Sequence, residues 1–596
     1  MERTEAPELT RRALITGALI GALLTPCNVY SGLKIGWSFN MSIAAALLSY
    51  AFWQVAERGL GTRHWGLLEN NINQTTASSA ASIISGGLVA PIPALTLITG
   101  QQLGWASMWL WVFAVSALGI VVAVLLRGAM IERTGLAFPA GVATAETVTQ
   151  IYRRGREATL RVRALASAAL LAGSVKLVLD LGGVAARLSP PLGIALPASL
   201  ARGGVGTASF KNLGLSLDSS LLMLGFGAII GPRAGVSLLA GALIAWLGLA
   251  PWVIERGWAE AGPADGIWFG ALVEWLIWPG VAMMTTASLT AFGLTLLGLR
   301  SRARGASDAA PRPGLPVPLR AFAIGAAIAV TLAVIVQQLL FGIPPLAGLI
   351  AVLLSLALAV VAARVVGETG IPPIGAIGKV AQLSFGLVAP GNVTANLMGA
   401  NVTGGAAGQC ADLLNDLKCG HLVGATPRRQ IAAQCLGVLT GSLVGSLSYL
   451  LLIPDPATML LTAEWPAPAV ATWKAVAEVL ARGLQAIPEG ATTAMLIGAA
   501  TGVALAAAEA LLPPRARAFV PSGAGLGLAF VIPAWISVSL FLGAALASLA
   551  ARLFPQAAAR FTLPIAAGLV AGESIAGVAG APVSYTHLTL PTIYSV

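Results

Sequence analysis

The sequence predicts an all-α polytopic membrane protein of about sixteen transmembrane helices, in two parallel repeat halves with broken or re-entrant segments. Three observations carry that prediction. Only 10% of the 596 residues are charged, against roughly 25% in soluble chains, while 57% are hydrophobic and the mean hydropathy is +0.84. Such a chain lacks the polar surface to cover soluble cores, so its solvent is the bilayer. The apolar runs last about 20 residues, the length at which a helix crosses the hydrocarbon, whereas transmembrane strands are short and alternate. Finally, the basic residues fall in short clusters between apolar runs rather than along one face, which accounts for a net charge of +11 by positive-inside topology and excludes nucleic acid as a partner.

Along the chain, plain spans are expected at 105–126, 164–186, 235–254, 321–341, 346–366, 430–453, 494–512 and 528–551. Between them the stretches 26–42, 69–90, 136–148, 368–386, 390–418 and 519–527 carry Gly, Pro, Asn, Ser and Thr at membrane depth. Irregular backbone there is tolerated only where it is buried in protein or lines a wet cavity, so these stretches are where function is sought. Residues 300–320, rich in Arg and Pro, read as a cytoplasmic linker between an N-terminal transmembrane half (1–299) and a C-terminal one (321–583). The halves echo each other in order: Ser31-Gly-Leu-Lys-Ile-Gly36 with Ile374-Gly-Ala-Ile-Gly-Lys379, Asn73 to Ala80 with Asn401 to Gly408, Phe138-Pro-Ala-Gly141 with Val520-Pro-Ser-Gly523, and Gly227 to Gly231 with Gly568 to Gly572. Arg11 and Arg12, the arginines of 153–163 and those of the linker are placed in the cytoplasm, which makes the first half cross an even number of times and the repeats parallel. Trp473 to Leu484 has apolar residues at helical spacing and reads as a helix lying on the membrane surface. Ser584 to Val596 changes composition abruptly and reads as a non-native tail.

Four polar clusters carry the chemistry. Polar groups in a membrane helix are costly without partners, so their clustering marks a pathway or a packed interface. In Asn28-Val-Tyr-Ser-Gly-Leu-Lys-Ile-Gly-Trp37, Lys34 is either a snorkelling helix end or a buried cation facing a carboxylate, with Asn28 and Tyr30 beside it. From Glu69 to Ser82, Asn70, Asn73 and Gln74 share a helical face that continues into small residues, the pattern of close helix packing with amides left for a ligand. Glu132 to Glu146 contains Pro139, and Glu146 is either a proton carrier or the partner of the arginines at 153–156. Glu368-Thr-Gly-Ile-Pro-Pro-Ile-Gly opens the richest region, which continues through Lys379, Asn392, Asn396 and Asn401 to Asp412, Asp416, Lys418 and His421. Asp412 and Asp416 read as a helix terminus paired with Lys418, Arg428 and Arg429 rather than a metal site. Four cysteines and three histidines make no zinc, haem or iron–sulfur spacing, no Walker A motif is present, and no cofactor is expected.

Taken in order, Asn28-x-Tyr30-x-Gly-Leu-Lys-Ile-Gly-Trp37, the Glu69-Asn…Gln74-Thr block, Phe-Pro-Ala-Gly, Gly-Ile-Pro-Pro-Ile-Gly, Asp416-Leu-Lys…Gly-Ala-x-Pro-Arg-x-Gln430 and Gly568-Leu-Val-Ala-Gly-Glu573-Ser resemble the oligopeptide transporter (OPT) family, in its bacterial branch near the yellow stripe-like members. The resemblance covers the chain to Val583. It implies about sixteen helices and uptake of small peptides or metal–chelate complexes, generally coupled to protons. The Asn-Pro-Gly and Lys-Ile-Pro-Pro-Arg motifs of the eukaryotic peptide branch do not occur here. The expectation is a multi-pass secondary active transporter of the inner (plasma) membrane with a cytoplasmic N-terminus, carrying small oligopeptides or, alternatively, metal chelates of siderophore-like kind. A passive channel or an intramembrane enzyme fits less well, because neither a repeated pore motif nor a nucleophile constellation is found. Asn28, Tyr30, Lys34, Glu69, Asn70, Gln74, Lys379, Asn392, Asn396 and Asn401 are expected to bind substrate, and Glu368 or Glu146 to carry the proton; no residue is expected to be catalytic or to hold a metal. The oligomeric state, a homodimer included, stays open.

Overall fold

The computed structural model describes residues 7–36, 41–133, 136–153, 155–182, 187–195, 207–303, 315–369, 374–517 and 519–593. Its helices follow in chain order: α1 (Arg11–Ile35), α2 (Ser42–Leu60), α3 (Leu67–Ala81), α4 (Pro91–Thr99), α5 (Trp105–Arg127) and α6 (Pro139–Arg153), then α7 (Gly155–Gly182), α8 (Leu221–Ala242), α9 (Ala250–Glu255) and α10 (Phe269–Ala303). The second half adds α11 (Leu319–Phe341), α12 (Pro345–Thr369), α13 (Ile374–Val388), α14 (Val393–Val423), α15 (Pro427–Leu452), α16 (Pro456–Met459) and α17 (Pro468–Arg482), then α18 (Ala491–Leu511), α19 (Pro514–Arg517), α20 (Gly523–Leu528), α21 (Ala534–Leu553) and α22 (Pro555–Ile593). Two antiparallel ladders lie between α7 and α8: β1 (Arg187–Leu188) pairs with β4 (Leu217–Asp218), and β2 (Gly193–Ala195) with β3 (Thr207–Ser209). Among the described residues, 12 helical runs are long and apolar enough to cross a membrane.

Helix ends are set locally. Thr10 caps α1 through the N–H of Ala13, and Gly36, at φ 81°, ends it in the left-handed conformation that glycine adopts without a Cβ penalty. Ser220 and Asn392 cap α8 and α14 in the same way. Within α8, Gly231 (φ 81°) and Pro232 make a kink, so a single apolar run from Leu221 to Glu255 bends rather than passing straight.

Five of the eight plain spans fall where hydropathy puts them; α7 instead begins at Gly155 with 183–186 outside the described residues, the 235–254 span is the later part of an apolar run from Leu221, and α21 begins at Ala534, after Pro533, rather than at 528. Two interrupted stretches are interrupted in fact: after α3 the chain makes a tight 3₁₀ turn (Ser82–Gly86) before α4, and α20 is a short helix of six residues. The stretch 390–418 corrects the expectation. It is a continuous helix, α14, buried along nearly its whole length from Ala395 to Gly420. Its glycines and asparagines do not break it, because neighbouring side chains press against Gly399, Gly405 and Gly420, and Asn396 and Asn401 bond to adjacent elements. Helix propensity is a weak prior where tertiary packing fixes the backbone. The Trp473 helix, α17, is likewise packed into the protein, with Val470, Ala471, Trp473, Ala475 and Ala477 buried. The Gly370–Pro373 break, Trp37 and most of the linker lie outside the described residues, as do the last three residues of the divergent tail.

The helices assemble into two bundles, and each takes members from both halves of the sequence. In the first, α1 packs on α3 and α15, α3 on α2 and α15, and α14 on α5, α12 and α13. In the second, α8 packs on α21 and α22, α7 on α22, and α10 on α18 and α20. The first bundle thus combines 11–153 with 319–482, and the second combines 155–303 with 491–593. They meet where α1 and α15 touch α22, α2 and α6 touch α7, and α13 and α17 touch α10.

Candidate functional site

A cavity of about 170 Å³ opens at that junction, and charged side chains from both bundles line it. The first bundle supplies the last turn of α1, with Tyr30 and Lys34, and Glu464 from the loop before α17. Lys34 Nζ donates to the Glu464 carbonyl (2.5 Å) and pairs with its carboxylate (3.2 Å), while standing 4.6 Å from the ring centre of Trp465 and 5.6 Å from that of Tyr30. The loop is tied down by the N–H of Ala467, which donates to Leu33 O (2.9 Å), and by Trp465 packed edge-on to Tyr30. Lys34 holds the Glu464 carboxyl below the usual carboxylate range, through its charge first and its hydrogen bond besides.

The opposite wall belongs to the second bundle. Lys176 and Asp180 pair along α7 (2.7 Å), and Arg187 and Asp218 face each other across the β1–β4 ladder (3.6 Å), with the Arg187 guanidinium 4.0 Å above the Trp535 ring. Glu573, only 6% exposed, is held differently. Its carboxylate accepts the Ser220 hydroxyl (2.7 Å) and the Leu222 N–H (2.8 Å), at the positive N-terminal end of α8. The walls therefore present three cations, Lys34, Lys176 and Arg187, and four carboxylates, of which Glu573 rests on helix-end donors rather than on a lysine or arginine. Such a surface offers a carboxylate for an ammonium group or cation and basic groups for a carboxylate, within one small space. Pockets that enclose a drug-sized ligand run about 300–1,000 Å³, so in this conformation the cavity admits one end of a peptide rather than a whole one.

Of the residues singled out in the sequence, Tyr30 and Lys34 reach this cavity. The others lie inside the first bundle against protein partners. Asn28 donates to the Ala81 carbonyl (2.9 Å), Asn70 accepts from Ser49 (2.6 Å) and donates to Ala46 O (3.3 Å), and Gln74 donates to Thr75 Oγ1 (3.1 Å). Glu69 closes the start of α3, where Arg12, Arg63 and Thr10 converge on it. Lys379 is buried over Trp473 and donates to Gln382 (3.0 Å), whose amide in turn meets Asn396 (3.3 Å). Asn392 caps α14, and Asn401 accepts the indole N–H of Trp111 (2.8 Å). Glu368 pairs with Arg364 one turn earlier (3.5 Å), and Glu146 is exposed on α6. Asp412 and Asp416, read as an interfacial helix end, instead lie in the middle of this bundle, and Lys418 turns away from them to the Leu136 carbonyl (2.9 Å).

Sequence reasoning missed Lys176, Asp180, Arg187, Asp218 and Trp535. Arg187 and Asp218 are 31 positions apart, and nothing in the chain signals that a two-residue ladder makes them neighbours. Glu573 carried a signal, a carboxylate directly after the small residues of an apolar span.

The family profile described as "OPT oligopeptide transporter protein" matches residues 8–582. The chain is similar to a protein of Saccharomyces cerevisiae named as a candidate oligopeptide transporter, at 23% identity over 74% of this chain and 77% of the yeast protein. It is similar to the metal-nicotianamine transporter YSL2 of Arabidopsis thaliana, at 23% identity over 95% of this chain and 92% of the plant protein. A shorter match, 24% identical over 33% of this chain and 28% of the relative, is to a candidate metal-nicotianamine transporter of Oryza sativa subsp. japonica.

Proposed function

The chain belongs to the OPT oligopeptide transporter family, and we propose that it is a proton-coupled secondary active transporter that carries a small oligopeptide through the junction of its two bundles. The observation that carries this reading is the cavity, whose two walls belong to different bundles and each bear both cations and carboxylates. A zwitterion seated there places its ammonium group at Glu573 of the second bundle and its carboxylate at Lys34 of the first, and so bridges the two bodies. Alternating access by rocking or shifting one bundle against the other opens and closes a site built in this way. The second reading, a metal–chelate symporter, is supported by the plant relative that spans nearly the whole chain and by the surplus carboxylate of the cavity.

The same proposal takes the plasma membrane as the site of action, the N-terminus and the linker at 300–320 as cytoplasmic, and about sixteen crossings once broken segments are counted. Duplication of an ancestral half is supported by the way each bundle draws on both halves, α1–α6 with α11–α17 and α7–α10 with α18–α22. No catalytic step is part of the reading. The test is uptake by proteoliposomes containing the purified full chain, with labelled trialanine and nickel–nicotianamine as probes and an acid-outside pH gradient. Trialanine accumulating above equilibration, and collapsing with an uncoupler, is the expected result. Accumulation of the chelate alone selects the second reading, and movement of neither probe removes both.

A further inference from the structure

A carboxyl pair on α14, Asp416 buried and Asp412 half-buried, is the feature the cavity does not use. Asp416 is 2% exposed and Asp412 lies one turn before it on the same helical face. Asp412 faces Ser82, and Asp416 faces Ser42 and Gln74. Ser42 Oγ is 3.2 Å from Asp416 Oδ1 and 2.8 Å from Ser78 Oγ, and Gln430 donates to the Asp416 carbonyl (2.9 Å). Three acceptors in this nest have no hydrogen-bond partner among the described residues, Asp416 Oδ2, Gln74 Oε1 and Gln430 Oε1, although Gln74 and Gln430 are wholly buried. A buried acceptor without a donor is unfavourable, and an ionised buried carboxyl with a second carboxyl one turn away more so.

The surrounding charges do not relieve them. On α14 itself, Cys419 contacts Asn71 (3.4 Å) and Lys418 is bound to Leu136 O. On the neighbouring helices, Arg127 pairs with Glu132, Arg364 with Glu368, Lys379 lies over Trp473, Glu69 is held by Arg12 and Arg63, and Arg429 pairs with Glu8. Arg428 donates to Pro316 O, and Glu146 is exposed. Of the charged groups named here, Asp412 shares the helical face of Asp416, one turn away.

We propose that Asp416, backed by Asp412, Gln74 and Ser42, is the site that takes up and releases the proton coupled to substrate movement. A single proton on Asp416 Oδ2 turns a vacant acceptor into a donor among the vacant amide oxygens of the nest, and leaves the pair with one charge instead of two. Its loss restores the vacancy and the second charge. The site connects to the cavity through α3: Gln74 lies on it, Gly17 and Gly21 of α1 press on Thr76, Ala77 and Ala80, and Asn28 of α1 holds the Ala81 carbonyl, one turn from the segment bearing Tyr30 and Lys34. A change in how α3 packs against α14 is therefore transmitted to the cavity wall.

This inference rests on the transport reading, and the experiment separates the two. In proteoliposomes, Asp416→Asn should lower accumulation of trialanine under an acid-outside gradient at least tenfold, while exchange of labelled for unlabelled trialanine without a gradient stays within about twofold of the parent. Asp416→Glu should restore part of the accumulation, and Glu368→Gln should keep it. Unchanged accumulation in Asp416→Asn, loss of exchange together with accumulation in both Asp416 variants, or accumulation driven by a sodium gradient instead overturns the assignment. A second readout needs no substrate: the infrared carbonyl band of a protonated carboxyl should titrate in the parent and be missing from Asp416→Asn. Its absence from the parent also overturns the proposal, whereas a band that titrates in a protein that moves neither probe sinks the transport reading and leaves the proton site standing.

Discussion

The bundle of α1–α6 with α11–α17 buries amides, hydroxyls and carboxyls, whereas the bundle of α7–α10 with α18–α22 buries glycine against backbone. In the first, Asn70, Asn71, Asn73, Gln74, Gln409, Gln430 and Gln434 are all inaccessible. In the second, Gly227 and Gly543 sit against the carbonyls of Leu540 and Leu224, joining α8 to α21, and Gly568 and Gly572 sit against those of Leu165 and Ala169, joining α22 to α7. Lipid tails are as apolar as leucine, so helices in a bilayer associate through close packing or polar contacts rather than hydrophobic burial. The second bundle relies mostly on the first of these means. The first bundle adds the second means, and with it groups that protons and ligands can address.

The largest effect expected from this contrast is steric. A Cβ at Gly572 collides with the Ala169 carbonyl, a backbone atom that cannot rotate away. Gly572→Val should therefore force α7 and α22 apart and cost about 3 kcal/mol or more. Asn70→Leu in the first bundle removes the contacts to Ser49 and Ala46, and should cost nearer 1 kcal/mol, the scale of a hydrogen bond within a membrane protein. Thermal unfolding of the two purified variants in one detergent compares them directly. If Asn70→Leu proves the more damaging, the polar interior holds the fold and the comparison fails.

A smaller effect tests whether both bundles grip the substrate. Lys34→Met alters the first wall and Glu573→Gln the second, and each should raise the KM for trialanine about tenfold, or about 1.4 kcal/mol. Transport kinetics in proteoliposomes provide the check. A KM untouched by Glu573→Gln would mean that the second bundle only shapes the passage.

How much of this could be read from the chain depends on the range of the contacts. Hydropathy located α5, α11 and α12 to within a few residues, because insertion is a property of each segment alone. The echo between Gly227–Gly231 and Gly568–Gly572 was visible, yet the glycines serve different ends: Gly227, Gly568 and Gly572 admit a neighbouring backbone, while Gly231 supplies the kink of α8. The interleaving of the halves was hidden, since it depends on which faces meet. Lys34 was legible as a cation seeking a carboxylate, but its partner Glu464 lies 430 positions away. Asp416 was misread because the lysine and arginines near it in sequence suggest pairing, and only the folded helices show them turned elsewhere.

The smallest predicted effect concerns that Lys34–Glu464 pair, the strap that the first bundle lays across the cavity mouth. Lys34 holds the folded-state pKa of Glu464 below that of a free glutamate, which is about 4.3. The pair's contribution to stability is therefore fully present above the unfolded value and is lost as pH falls through the lowered folded one. Glu464 is 68% exposed, so solvent screens the interaction to about 0.2–1 kcal/mol. Thermal midpoints of the parent and Glu464→Gln should thus differ by a small constant amount from pH 8 to about pH 5, and converge as the pH drops further. Added salt should shrink the gap at neutral pH. The second bundle offers the contrast, because Glu573 is buried on the donors of α8 rather than on an exposed cation. If salt closed the gap between the parent and Glu573→Gln as readily as that for Glu464→Gln, the two walls would be equally wet, and the asymmetry assigned here to the cavity would be lost.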